Sequence, residues 1–169
     1  MKTAITGGIG AGKSYVCRKI AAERGVQIYD CDSAAKRLMR ESDELRQQLT
    51  SLIGPDTYRE DGTLNKAVVS KFLLESEENK ARINAIVHPA VARDFEESGM
   101  QWMECAILFE SGFDRLVDKV IVVTAPLEVR IDRIMKRDHI TREQALAWIN
   151  CQTPQEELIR RADEIIENN

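Results

Sequence analysis

The chain has 169 residues, 43% of them apolar, enough to bury one core, and a single globular domain is the expectation. A net charge of −4 argues against nucleic-acid and membrane-surface partners, so any cations that meet a phosphorylated ligand must be gathered locally. Four cysteines, Cys17, Cys31, Cys105 and Cys151, stand far apart with no C-x-x-C pair, which suits reduced packing thiols better than a zinc or disulfide framework.

Thr3-Ala4-Ile5-Thr6 reads as a short strand and runs directly into Gly7-Gly8-Ile9-Gly10-Ala11-Gly12-Lys13-Ser14. That octet fits the phosphate-loop pattern G-x-x-x-x-G-K-[ST] at every fixed position. Val16, Cys17, Ile20 and Ala21 follow at helical spacing and Gly25 supplies a stop, so the motif has the strand, loop and helix it requires. Such a loop works because small residues, here Gly8, Gly10, Ala11 and Gly12, let backbone N–H groups turn inward on a polyphosphate, while the helix adds the positive end of its dipole. Lys13 is expected to reach the β and γ phosphates and Ser14 to offer its hydroxyl to Mg²⁺. The competing account, a Gly-rich strand-to-helix turn that happens to precede Lys and Ser, explains none of this context. With the loop this near the first residue, no secretion signal is expected. With no apolar run of membrane-spanning length either, a soluble cytoplasmic protein that binds ATP is expected.

Val26–Tyr29 reads as a second strand, followed by helices over Ser33–Met39 and Asp43–Ile53. A turn at Glu60-Asp61-Gly62 precedes Leu64–Leu74, and Glu77–Phe95 is helical material expected to break at His88-Pro89. The middle third therefore carries no strand. Two apolar runs, Cys105–Phe109 and Val120–Val123, have the composition of buried parallel strands. Leu127–Lys136 is a helix opened by Pro126, Thr141-x-x-Gln144 is a capping box, and Ile165-Ile166 is a candidate last strand. Strands alternating with helices, without repeats or low-complexity linkers, predict an α/β fold: a right-handed parallel sheet between helices, with its ligand at the carboxyl ends of the strands.

Several side chains are placed for chemistry at that edge. Asp30 and Asp32 follow the second strand at spacing two, so both carboxylates share a side if the extended conformation persists. A carboxylate there can orient an acceptor hydroxyl, take its proton, or bind magnesium through water; the alternative for Asp32 is a helix N-cap before Ser33. Glu110 follows the run ending at Phe109, either at the crevice or as a solvated strand-end charge. Arg130, Arg133 and Arg137 fall within roughly 60° of one helix face. Guanidiniums suit the charge of a transferring phosphoryl group, and Arg137 near the helix end is placed to reach it from a mobile lid. For Arg130 the better reading is a solvated residue complementing the helix dipole. His88 is assigned to substrate positioning at most, and Trp102 and Trp148 to packing.

Taken together, these segments resemble the dephospho-coenzyme A kinase family across essentially the whole chain. The resemblance rests on Ile5–Ser14, Asp30-Cys31-Asp32, Asp61–Asn65, His88-Pro89, Leu108-Phe109-Glu110, Arg133–Asp138, Gln152 and Ala162–Asn168 in that order and spacing. It implies a three-layer α/β/α P-loop kinase fold in one domain, with a core (about 1–32, 103–126 and 162–169), a helical CoA-binding region (about 33–100) and a lid (about 127–155). It further implies Asp32 as the catalytic aspartate, Arg137 as a lid arginine, and Asn168 near adenine. Arg133 and Tyr15 are expected at the nucleotide, and Lys36 or Arg37, His88 and Glu110 at the dephospho-CoA substrate. Lys36-Arg37 stands where the family has an arginine four residues after the second aspartate, Tyr15 replaces a common threonine, and Ala106 a common proline. The family also continues past Asn169 through a glycine and a final helix.

The function expected is transfer of the ATP γ-phosphoryl group to the ribose 3′-hydroxyl of dephospho-CoA with Mg²⁺. Another P-loop nucleotide or small-metabolite kinase is the nearest alternative. A GTPase-type switch is disfavoured because D-x-x-G is missing and Asn65-Lys66-Ala67-Val68 fails the N-K-x-D pattern at its last position.

Overall fold

The computed structural model describes residues 1–169, which divide into two compact units, Met1–Asp30 with Met100–Asn169, and Cys31–Gly99. The first unit is built on a five-stranded, all-parallel sheet in the order β2-β3-β1-β4-β5. Strand β1 (Thr3–Thr6) lies at its centre between β3 (Trp102–Glu104) and β4 (Lys119–Thr124), with Thr3 level with Trp102 on one side and Lys119 on the other. The edges are β2 (Ile28–Asp30) and β5 (Glu164–Glu167).

A parallel sheet must be covered on both faces, and the central strands are apolar in both parities for that reason. Ile5, Ile121 and Val123 pack with Val16, Cys17 and Ile20 of α1 (Lys13–Arg24). Ala4, Val120 and Val122, of the opposite parity, are buried as well. Between β4 and β5 run α6 (Leu127–Asp138), α7 (Arg142–Asn150) and α8 (Gln155–Arg160). The pairing of Thr141 and Gln144 makes the expected capping box at the start of α7. A small cluster of Ile131, Ile134 and Ala145 joins α6 to α7 and takes in Ile9 from the phosphate loop.

The second unit is helical: α2 (Cys31–Glu41), α3 (Asp43–Ile53), α4 (Lys66–Glu75) and α5 (Glu77–Ser98), with an isolated bridge between Tyr58 and Leu64. Ser42 and Ser76 cap α3 and α5, accepting from Leu45 N and Asn79 N. Its core is formed by Leu45, Leu49, Ile83, Val87, Val91 and Phe95. No helix of the protein is long and apolar enough to cross a membrane.

Three local expectations are corrected. Helix α5 runs unbroken through Pro89: the ring costs one backbone hydrogen bond, but Ile83, Val87, Val91 and Phe95, four residues apart, bury one continuous stripe that holds the helix together. The apolar run Cys105–Phe109 is not a strand. Pairing ends where Cys105 N donates to Ile5 O at 3.0 Å, and residues 106–109 form turns that bury Leu108 completely. A short apolar run satisfies burial equally well in a turn, so its composition did not settle its conformation. The extended chain of β2 ends at Asp30 and α2 starts at Cys31, so Asp30 and Asp32 do not share a strand face. Asp32 lies inside the first turn of α2 and is not its N-cap.

Candidate active site

The loop between β1 and α1 closes by a hydrogen bond from Ala11 N to Gly8 O at 3.1 Å. Gly10 and Gly12 have φ of 80° and 85°, the left-handed region that glycine enters without strain. Gly12 is the N-cap, so Lys13 and Ser14 occupy the first turn of α1, where the helix dipole is positive.

Glu104, the last residue of β3, meets both of these side chains. Its Oε1 accepts from Ser14 Oγ at 3.1 Å and lies 3.5 Å from Lys13 Nζ. One turn further along α1, the Cys17 thiol hydrogen-bonds the same carboxylate. Burial first, and then the negative charge of Glu104, push that thiol up to about 12, with Lys13 opposing. Glu104 is not among the residues the sequence singled out, because the run after it took the reading of the strand. The available signal was an acidic residue ending Trp102-Met103.

Helix α6 approaches the loop from beyond β4. Arg130, expected in solvent, is 5% exposed, and its Nε donates to Ile9 O at 3.0 Å. Burial lowers its pKa, and the charge of Glu156 offsets that in part. Arg133 Nη1 donates to Gly10 O and Ala11 O, both at 3.2 Å, and its Nη2 to Asn168 O at 2.8 Å. Asn168 Nδ2 in turn donates to Ala11 O at 3.1 Å. Gln152 Oε1 accepts from Ile9 N at 2.8 Å. The exposed Arg137 pairs with Asp138 at 2.7 Å, next to the C-cap His139 at φ 54°.

A cavity of about 550 Å³ opens along the loop; Lys13, Ser14, Tyr15, Arg133, Arg137 and the unanticipated Arg18 are among its walls. Its charged side chains are all cationic, so it is suited to a polyphosphate. Glu110 lies in the turns after β3, not at a strand end, and accepts from Thr153 Oγ1.

The remaining sequence candidates belong to the helical unit. Asp32 pairs with Lys36 at 3.2 Å across one turn of α2, while Arg37 pairs with Asp94 of α5 at 2.5 Å. His88 sits part-buried in α5, and burial lowers its pKa.

A lysine and a serine at the head of the helix that follows the central strand of a parallel sheet, under a glycine loop, define the class of P-loop nucleotide-binding proteins. Within that class the chain belongs to the dephospho-CoA kinase family, whose model matches residues 1–169. The dephospho-CoA kinase of Fusobacterium nucleatum is 35% identical, with 98% of this chain and 88% of that protein aligned. That of Bacteroides fragilis is 36% identical, over 100% of this chain and 85% of that one. Among solved structures, TT1252 from Thermus thermophilus superposes with a TM-score of 0.84 at 31% identity, covering 100% of this chain and 88% of its own. A dephospho-CoA kinase from Campylobacter jejuni gives 0.69 at 26%, covering 100% and 89%. Shikimate kinase from Acinetobacter baumannii, at 0.58 and 16% identity over 99% of this chain and 83% of its own, shares the fold.

Proposed function

We propose that the protein transfers the γ-phosphoryl group of ATP to the ribose 3′-hydroxyl of 3′-dephospho-CoA, giving CoA and ADP. The observation that carries this reading is the Lys13, Ser14 and Glu104 cluster at the head of α1, in a chain that matches the dephospho-CoA kinase family from end to end.

The acceptor oxygen attacks the γ-phosphorus, the bond from that phosphorus to the β–γ bridging oxygen breaks, and the electron pair leaves on ADP. Lys13 and the loop amides bear the charge on the phosphates; catalysis is mostly positioning and charge stabilisation. Asp32 orients the 3′-hydroxyl and accepts its proton, which then passes to solvent. Lys36 beside Asp32, with Arg37, His88 and Glu110, serves the dephospho-CoA side. Tyr15, Arg133 and Asn168 serve the nucleotide side, and Arg137, at the exposed end of α6, supplies a further cation from a lid formed by about residues 127–155.

Ser14 offers Mg²⁺ a hard hydroxyl oxygen, and Glu104, which accepts from that hydroxyl at 3.1 Å, is the outer carboxylate that orients it. When bound, Mg²⁺ would neutralise phosphate charge, with the nucleotide and water completing its shell. The helical unit, residues 31–99, holds the CoA moiety in this reading, and the enzyme acts in the cytoplasm.

The test is ADP formation from Mg-ATP with and without dephospho-CoA, with the product weighed by mass spectrometry. Acceptor-dependent ADP and a product one phosphoryl group heavier are expected, and Lys13→Ala should abolish both. ADP formed at the same rate without the acceptor would refute the reading.

A further inference from the structure

Arg130 is the one arginine of its helix face that is buried, and the phosphate chemistry leaves it without a task. What it touches is the loop itself. Its Nε donates to Ile9 O, and its guanidinium lies so close over Gly8 that a Cβ there would stand 2.2 Å from Nη2. Gly8 is not among the positive-φ glycines, so its backbone accepts a side chain and only the guanidinium excludes one.

The direction of these bonds matters. A trans peptide points its C=O and N–H opposite ways. Arg130 holds the Ile9 carbonyl, while Arg133 holds those of Gly10 and Ala11, so three successive carbonyls are drawn toward α6. The N–H groups of Gly10, Ala11 and Gly12 must therefore point away from the guanidiniums that hold those carbonyls. That of Ala11 closes the loop on Gly8 O, leaving those of Gly10 and Gly12 for the anion. Ile9 is fixed twice more, by Gln152 through its N–H and by Ile131 and Ile134 through its side chain.

We propose that Arg130 is a positioning residue of the phosphate site: it acts through the Ile9 carbonyl to hold the Gly10 N–H toward the polyphosphate, and it does not contact phosphate itself. This rests on the reading of the loop as the ATP site. A charge-assisted hydrogen bond in a buried setting is among the stronger single interactions available, and its loss releases the Ile9–Gly10 peptide to rotate.

The experiment measures ATP affinity and steady-state kinetics for the wild type, Arg130→Met, Arg130→Lys, Gly8→Ala and the Gly8→Ala/Arg130→Met double variant. Arg130→Met keeps the packing stem and removes the donors. The expectation is an ATP Kd and KM raised about tenfold, with kcat changed much less, and partial recovery in Arg130→Lys. Gly8→Ala, which displaces the same guanidinium from the loop side, should weaken ATP by a similar factor. The double variant should be no weaker than the worse single, because both changes break one contact. An unchanged ATP affinity in Arg130→Met, or strictly additive losses in the double variant, would overturn the proposal. Should Arg130→Met fail to fold, Gly8→Ala alone decides, with unchanged affinity counting against. A wild type that binds no ATP refutes the nucleotide-site reading itself, a result separate from any of these.

Discussion

Ser14 Oγ donates to Glu104 Oε1 across 3.1 Å, joining two residues 90 positions apart in the chain. The contact exists because β3 pairs with β1 in a register that sets Glu104 level with Ile5, two residues before the phosphate loop begins. One carboxylate oxygen thereby faces the serine hydroxyl and the Lys13 ammonium together.

Glu104→Gln keeps the shape of that side chain and removes its charge. Outer partners of a metal site typically contribute about 10- to 100-fold in metal affinity. The Mg²⁺ concentration for half-maximal activity should therefore rise by about tenfold or more, while the thermal unfolding midpoint changes little. A magnesium titration of initial rates measures this, and a curve superposing on the wild type would contradict the role given to Glu104.

Asp32 stands on the first turn of α2 with its side chain 79% exposed, so little folding energy depends on it. Replacing a positioned general base typically costs about 10²- to 10⁴-fold in rate. Asp32→Asn should lose turnover in that range and retain ATP affinity and the wild-type circular dichroism spectrum. Near-normal turnover in the folded variant would remove the aspartate from the chemistry.

The four thiols should separate cleanly by reactivity. Cys17, Cys31 and Cys105 are buried, and Cys17 is raised to about 12, whereas Cys151 is exposed. The thiolate is the reactive form, so at pH 8 an aromatic disulfide reagent should modify Cys151 rapidly and the other three only after unfolding. In Cys151→Ser the fast phase should vanish; its persistence would mean that one of the inner sites is accessible.

His88 carries a pKa lowered by burial in α5. The unfolded chain, with histidine near its ordinary value of about 6.5, then binds more protons than the native protein at mildly acidic pH. This histidine consequently favours the folded state above about pH 6.5 and erodes it as pH falls from there through the lower native value. His88→Gln should flatten the decline of the melting temperature between pH 7 and pH 5, and an unaltered slope in thermal scans would contradict it.

The phosphate loop, the first strand, the capping box at Thr141 and the strandless middle third were legible in the sequence because each is specified within a few neighbouring residues. Glycines state where the backbone must turn, and helical spacing states which face packs. Glu104, Arg130 and the unbroken α5 were not legible. Glu104 depends on which residue ends a strand beside β1. Arg130 depends on which way α6 rolls against the loop, and the helix through Pro89 on packing that outweighs one lost hydrogen bond.

The sequence by itself determined the chemistry on offer: a glycine loop with Lys13 and Ser14, a parallel α/β frame, and the order of motifs that marks the family. Only the tertiary structure decided how that loop is held, with its carbonyls drawn to the arginines of α6 and its lysine and serine beside Glu104. The physical reason is range. Backbone conformation and amphipathic spacing are local properties of a chain, whereas hydrogen-bond partners about a hundred residues apart follow from strand order, register and helix rotation, which packing of the whole unit selects.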